Sequence, residues 1–157
     1  MPIKSLLKVK LLREETATRE LAKAKQTLAE KEAELKSKEK ELTEFIIFKK
    51  KEKIRLFEEL KARNGVIMKE VNINHHHVSD LHLKEMEKIQ GINDAKKALE
   101  LAKEAYEAAK ITYFQKYKEK RKIEEIHDDI TKIEQGFLLY KEEMELEDIA
   151  SRAKNSN

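Results

Sequence analysis

The residues richest in reactive side chains are His75, His76 and His77, with Asp80 and His82 close behind. Imidazoles and carboxylates ligate zinc or nickel, and on a helix two of them converge when they stand four residues apart, one turn along the same face. No histidine pair here has that spacing. Three consecutive histidines on a helix fan out by about 100° each around its axis. The run therefore reads as a solvated polar face, and neither a metal centre nor any other cofactor is expected.

Two basic runs, Lys49-Lys50-Lys51 with Lys53 and Arg55, and Lys116 to Lys122 with Arg121, supply the clustered charge that phosphate contacts need. Glu52 and Glu119 interrupt them, and over the chain 34 Lys and Arg stand against 31 Asp and Glu, a net charge of +3. Charge so evenly mixed reads as helix faces in water. An RNA-binding arm at Lys49 to Arg55 is the weakest of the readings, and no nucleic-acid partner is expected. Catalysis has no foothold either. The chain has no Gly-rich phosphate loop and no Gly-x-Ser-x-Gly, and with no cysteine it has no thiolate nucleophile, disulfide or Cys-based zinc site. A paired-carboxylate site would need a pocket to desolvate it. The chain is expected not to be an enzyme.

What must position these residues is helix. Among 157 residues there are three glycines and one proline, too few for the turns of a sheet protein or the loops of a compact enzyme. Apolar residues make up 39% against 41% charged, which is lean for a globular core, so periodicity must decide between helix and disorder. Leu21, Leu28, Leu35 and Leu42 recur every seven residues with Leu7 and Leu56 in phase, a coiled-coil seam. A second row of Ile3, Ala17, Ala24, Lys31, Lys38 and Phe45 is weak and small. Helix one is predicted from Ser5, as N-cap, to about residue 62. Asn64-Gly65 marks a turn at about 63–66, with Gly65 in the left-handed conformation. Helix two is predicted from about 67 to 152, since Ile67, Val71, Asn74, Val78 and Leu81 begin a four-three spacing that continues to Tyr113. The fold class is all-α: a single hairpin domain over 1–157, a two-helix antiparallel coiled coil with the second helix longer. At 1.5 Å per residue the helices would run to roughly 90 and 130 Å, a rod.

A hairpin centred on Gly65 sets opposite one another residues whose numbers add to 130. Leu21 then meets Ala109, Leu28 meets Ala102, Leu35 meets Ala95, Ala24 meets Tyr106 and Ala17 meets Tyr113, with Leu99 in the same seam. Large opposes small throughout, as interdigitated layers require, whereas a parallel homodimer would stack Leu on Leu. Between Tyr113 and Ile123 the spacing of apolar residues predicts a three-residue stammer. Beyond it a second seam of Ile123, Ile126, Ile130, Ile133, Phe137, Tyr140 and Met144 has no intramolecular partner over most of its length. Gly136, weaker than Ala in a helix by about 1 kcal/mol, is the expected bend.

The apolar residues exceed what one seam can bury. Near the turn Phe45 to Phe48, Ile54 and Phe57 are in surplus, as are Phe137 to Tyr140 and Met144 at the far end, so the chain is expected to bridge two other proteins. The longest apolar run is Phe45 to Phe48, too short to span a bilayer. Lysines at 4, 8 and 10 interrupt any signal-peptide core, so a cytosolic, soluble chain is expected, with no direct membrane insertion.

Leu7-Lys8-Val9-Lys10-Leu11-Leu12-Arg13, Arg55-Leu56-Phe57-Glu58-Glu59-Leu60 and Lys141-Glu142-Glu143-Met144-Glu145-Leu146-Glu147-Asp148 carry a further signal. With these segments the chain resembles the central stalk proteins of bacterial type III secretion, the YscO group of injectisomes and their flagellar relative FliJ. The resemblance implies a non-enzymatic stalk in the bacterial cytoplasm, at the cytoplasmic face of the secretion apparatus. It implies binding and stimulation of the hexameric secretion ATPase, a link to the cytoplasmic ring of the export gate, and escort of secretion chaperones. Carried onto this sequence, the ATPase contact falls on Leu7, Leu11, Leu12, Ile130, Ile133, Phe137 and Tyr140. The gate contact falls on Val71, Val78 and Leu81, where the Asn74 to His77 stretch departs from the less polar family pattern. The alternative from the residues alone is a self-assembling structural coiled coil, its overhanging seams paired between copies.

Overall fold

The computed structural model describes residues 2–62, 65 and 67–155. Two helices, α1 (Ile3–Ala62) and α2 (Met68–Asn155), hold nearly all of them, and no strand occurs among the described residues. The helices pack against each other antiparallel, α2 the longer. Gly65 has φ 81°, a left-handed backbone that only glycine takes without a Cβ clash. Arg63, Asn64 and Val66, the rest of the expected turn, lie outside the described residues.

Helix α1 starts ahead of the expected Ser5 cap. The Pro2 carbonyl accepts the Ser5 N–H at 3.1 Å and the Leu6 N–H at 3.5 Å, which puts Ser5 inside the first turn. Proline suits that place, because its ring presets a helical φ and the first turn has no use for its missing N–H. Helix α2 opens on the Ile67 carbonyl, which accepts the N–H groups of Glu70 at 3.0 Å and Val71 at 3.3 Å. Glu70 adds negative charge at the positive end of the helix dipole. The Asn- and His-rich stretch after it is helical despite its poor propensity. Packing of Asn74, Val78 and Leu81 supplies what propensity withholds.

The chain divides into two compact units. In Ala22–Ala108, the α2 residues Leu81, Ile92, Ala95 and Ala102 are buried, while Ala24, Leu28, Lys31, Leu35, Lys38, Leu42 and Phe45 of α1 are half-buried at four-three spacing. In the unit made of Met1–Leu21 and Ala109–Asn157, Ala17 is buried, and Leu7, Leu21, Ala109 and Tyr113 are half-buried. Alanines dominate the deepest positions because a small side chain lets the opposite helix come close, and the bulkier neighbours close over it.

The packed face corrects one expectation. On α2 the seven-residue count runs unbroken through Tyr113, Lys116, Lys120, Ile123 and His127, all half-buried, so there is no stammer between Tyr113 and Ile123. Lysines hold the seam there. Their aliphatic stems lie along it and their ammonium groups reach carboxylates, which an aliphatic count skips over. Ile126 and Ile130 stand on an adjacent, exposed face. Helix α2 is continuous through Gly91 and Gly136.

Candidate interaction surfaces

Each unit contains polar layers where a coiled coil ordinarily has apolar ones. In the unit holding the N-terminus of α1, Lys10 Nζ stands 3.3 Å from Glu119 Oε2, and Lys120 Nζ stands 2.5 Å from Glu14 Oε2 and 3.8 Å from Glu124 Oε1. In the other, Lys49 donates to Glu85 and, at 3.3 Å, to Nδ1 of His82. Glu52 there faces Nε2 of His77 at 3.6 Å and is held on its own helix by Arg55. Asn74 Nδ2 donates to the Leu56 carbonyl at 3.1 Å. All of these cross-helix partners obey the register in which residue numbers add to about 130.

These layers fix the alignment more sharply than the leucines do. A leucine ridge tolerates a shift to the next alanine, but a half-buried charge deprived of its partner has lost both water and neutraliser. The electrostatics follow the geometry. The Lys49 hydrogen bond holds the Glu85 carboxyl below its ordinary range, and Lys10 does the same to Glu119. Arg55 chiefly, with His77, lowers Glu52, while the hydrogen bond to Glu14 raises Lys120.

The pairs account for much of the two basic runs. Lys49 and Arg55 are engaged by Glu85, Glu52 and Glu59, and Lys116, Lys120 and Arg121 are engaged by glutamates of their own run and of α1. His75, His76, His77 and His82 are all exposed, and of them His77 and His82 reach towards α1. Among the described residues no group of three or more His, Asp or Glu side chains is arranged as metal ligands.

Of the residues expected at an ATPase contact, Leu11, Leu12 and Ile130 are exposed and Leu7 is half-buried on the seam. Ile133, Phe137 and Tyr140 are far more open, at 71%, 65% and 60% exposure. From Lys132 to Asn155 every residue of α2 is exposed, Leu138, Leu139, Met144, Leu146 and Ile149 among them. Of the residues expected at a gate contact, Val71 is exposed, Val78 is half-buried and Leu81, at 4% exposure, belongs to the core. Beside Val71 the exposed apolar surface is Ile67 and Met68, part of the surplus expected near the turn, together with Ile73, which the sequence pattern did not mark. Near it, Arg55, Leu56, Leu60, Ile73, Asn74 and His77 line an open cleft between the helices. The remaining residues expected in the core, Leu99, Tyr106 and Tyr113, are half-buried on the packed face.

The arrangement defines an antiparallel two-helix coiled coil with polar layers in its seam and long stretches of exposed apolar side chain. The described helices contain none long and apolar enough to cross a membrane. The sequence pattern of type III secretion protein YscO matches residues 3–152, and the chain belongs to that family. The fold is similar to the crystal structure of the type III secretion protein YscO from Vibrio parahaemolyticus, with a TM-score of 0.80 and 23% identity over 93% of this chain and 91% of that one. No curated protein matches the chain by sequence.

Proposed function

We propose that the chain is a non-enzymatic stalk of a bacterial type III secretion system, working in the cytoplasm at the face of the apparatus. On this reading Leu7, Leu11, Leu12, Ile130, Ile133, Phe137 and Tyr140 bind the export ATPase and promote its hexameric, active form. Val71, Val78 and their exposed neighbours Ile67 and Met68 meet the export gate, and chaperones are escorted along the helices. Family membership supports the setting. The observation that carries the ATPase contact is the exposed apolar stripe of α2 beyond Thr131, which no other described part of the chain covers. In proteins a helix owes most of its stability to packing of its apolar face, so a stripe of this length calls for a partner.

The test is to titrate the chain into its cognate secretion ATPase and follow hydrolysis. Stimulation is expected, and Phe137→Glu is expected to abolish it. Unchanged hydrolysis across the titration would sink the reading.

A further inference from the structure

The exposed stripe continues one row of the packed seam, since Ile130, Phe137 and Met144 follow Ile123 by sevens, and takes Ile133 and Tyr140 as its second row. These five follow three-four spacing and are exposed, whereas Glu124, His127 and Thr131 lie on the face that packs on α1. A three-four stripe is the signature of a seam that takes another helix. We propose that this helix is the same segment of a second copy, lying antiparallel, with Phe137 against the second copy's Tyr140 and Ile133 against the second copy's Met144, each contact repeated by the two-fold axis.

Charge selects this arrangement. The positions flanking the stripe on one side are Glu134 and Lys141, both exposed and seven residues apart, too far to pair along one helix. In the proposed register each Glu134 meets the second copy's Lys141, giving two attractive pairs. Gly136 and Ala150 lie on the other flank, where they keep Glu143 and Asp129 from facing like charges. A parallel pair would set Asp129 beside Glu134 and Glu143 beside Asp148, and would stack Glu147 on Glu147 in the seam. An antiparallel pair shifted by one heptad, with Phe137 on Ile133, would bring Glu134 face to face with its own copy. Like charges in these places are what coiled coils use to reject a partner or a register. The dimer would cover Phe137 and Tyr140, so self-pairing and the ATPase contact exclude each other. Only that competition rests on the proposed function.

Because the pair is intermolecular, it can be tested by exchange of charge. Sedimentation equilibrium of the full chain is expected to give a concentration-dependent dimer. Glu134→Lys and Lys141→Glu, each alone, are expected to weaken it on the order of ten-fold, since two attractive pairs become repulsive. An equimolar mixture of the two variants is expected to dimerise as tightly as the unaltered chain, for every flanking pair is then opposite in sign. A monomer at the highest concentration reached would overturn the proposal, as would a dimer indifferent to either reversal or a mixture no tighter than its components. ATPase stimulation is read separately, so loss of that activity with the dimer intact counts against the docking reading alone.

Discussion

Lys49 and Glu85 show what a single seam residue contributes. Replacing one of them with an apolar residue leaves the other charged and half-buried, whereas replacing both removes the desolvation cost together with the attraction. Thermal unfolding is expected to show Lys49→Leu melting below the unaltered chain and Lys49→Leu with Glu85→Leu recovering most of the loss. These charged positions were the part of the core that the sequence hid. Lys10, Glu14, Lys49, Glu52, Lys116 and Lys120 sit in the four-three pattern of the packed rows, yet a count of aliphatic residues passes over them because charge is ordinarily a sign of solvent. The pairing arithmetic came close: carried through the charged positions it sets Lys10 opposite Lys120, one residue from its partner Glu119. At Leu81 the same preference misled in the other direction. An apolar residue near the turn reads as contact surface, and here it is core.

At the scale of the element, the two helices and their order were legible because Leu21, Leu28 and Leu35 recur every seven residues and Gly65 marks the turn. The helical start of α2 was the harder case. Only the spacing of Val71, Asn74, Val78 and Leu81 argued against a loop there, and spacing won because it reports packing. The stammer was misread because two seams overlap near Ile123, one packed and one exposed. Two substitutions separate buried from open helix. Leu81→Ala is expected to cost about 2–5 kcal/mol in denaturant unfolding, as for other buried leucines. Gly136→Ala is expected to stabilise by about 1 kcal/mol, since a Cβ added there meets nothing within 4 Å. The candidate contacts were legible only as surplus apolar residues, because exposure says that a face is uncovered without naming what covers it.

At the scale of the whole chain, stability depends on pH through the cross-helix pairs. Glu52, Glu85 and Glu119 hold their protons less tightly folded than unfolded, so on acidification the unfolded chain takes up protons first. Their contribution is complete above the ordinary Glu range near ~4.3 and is lost as the pH falls through and below it. Lys120 works in the opposite direction, with a contribution complete below the ordinary Lys range and lost above it. Melting followed by circular dichroism is expected to show a plateau near neutrality with a steeper fall on the acid side, where three groups act in concert. Phe137→Glu, by contrast, is expected to shift the stability of the monomer, read at low concentration, by no more than about 0.5 kcal/mol, because its side chain is open to water. Its whole effect then lies in recognition.

The charged layers also have a mechanical meaning. Within either unit, sliding α1 lengthwise by one heptad would carry Lys49 from Glu85 to Val78 or Ile92, and Glu14 from Lys120 to Tyr113 or His127. Each step strands an ion against a neighbour that cannot neutralise it as its native partner does. Axial load is therefore resisted by notches rather than by friction, and a pull on one strand is handed to the other without slip.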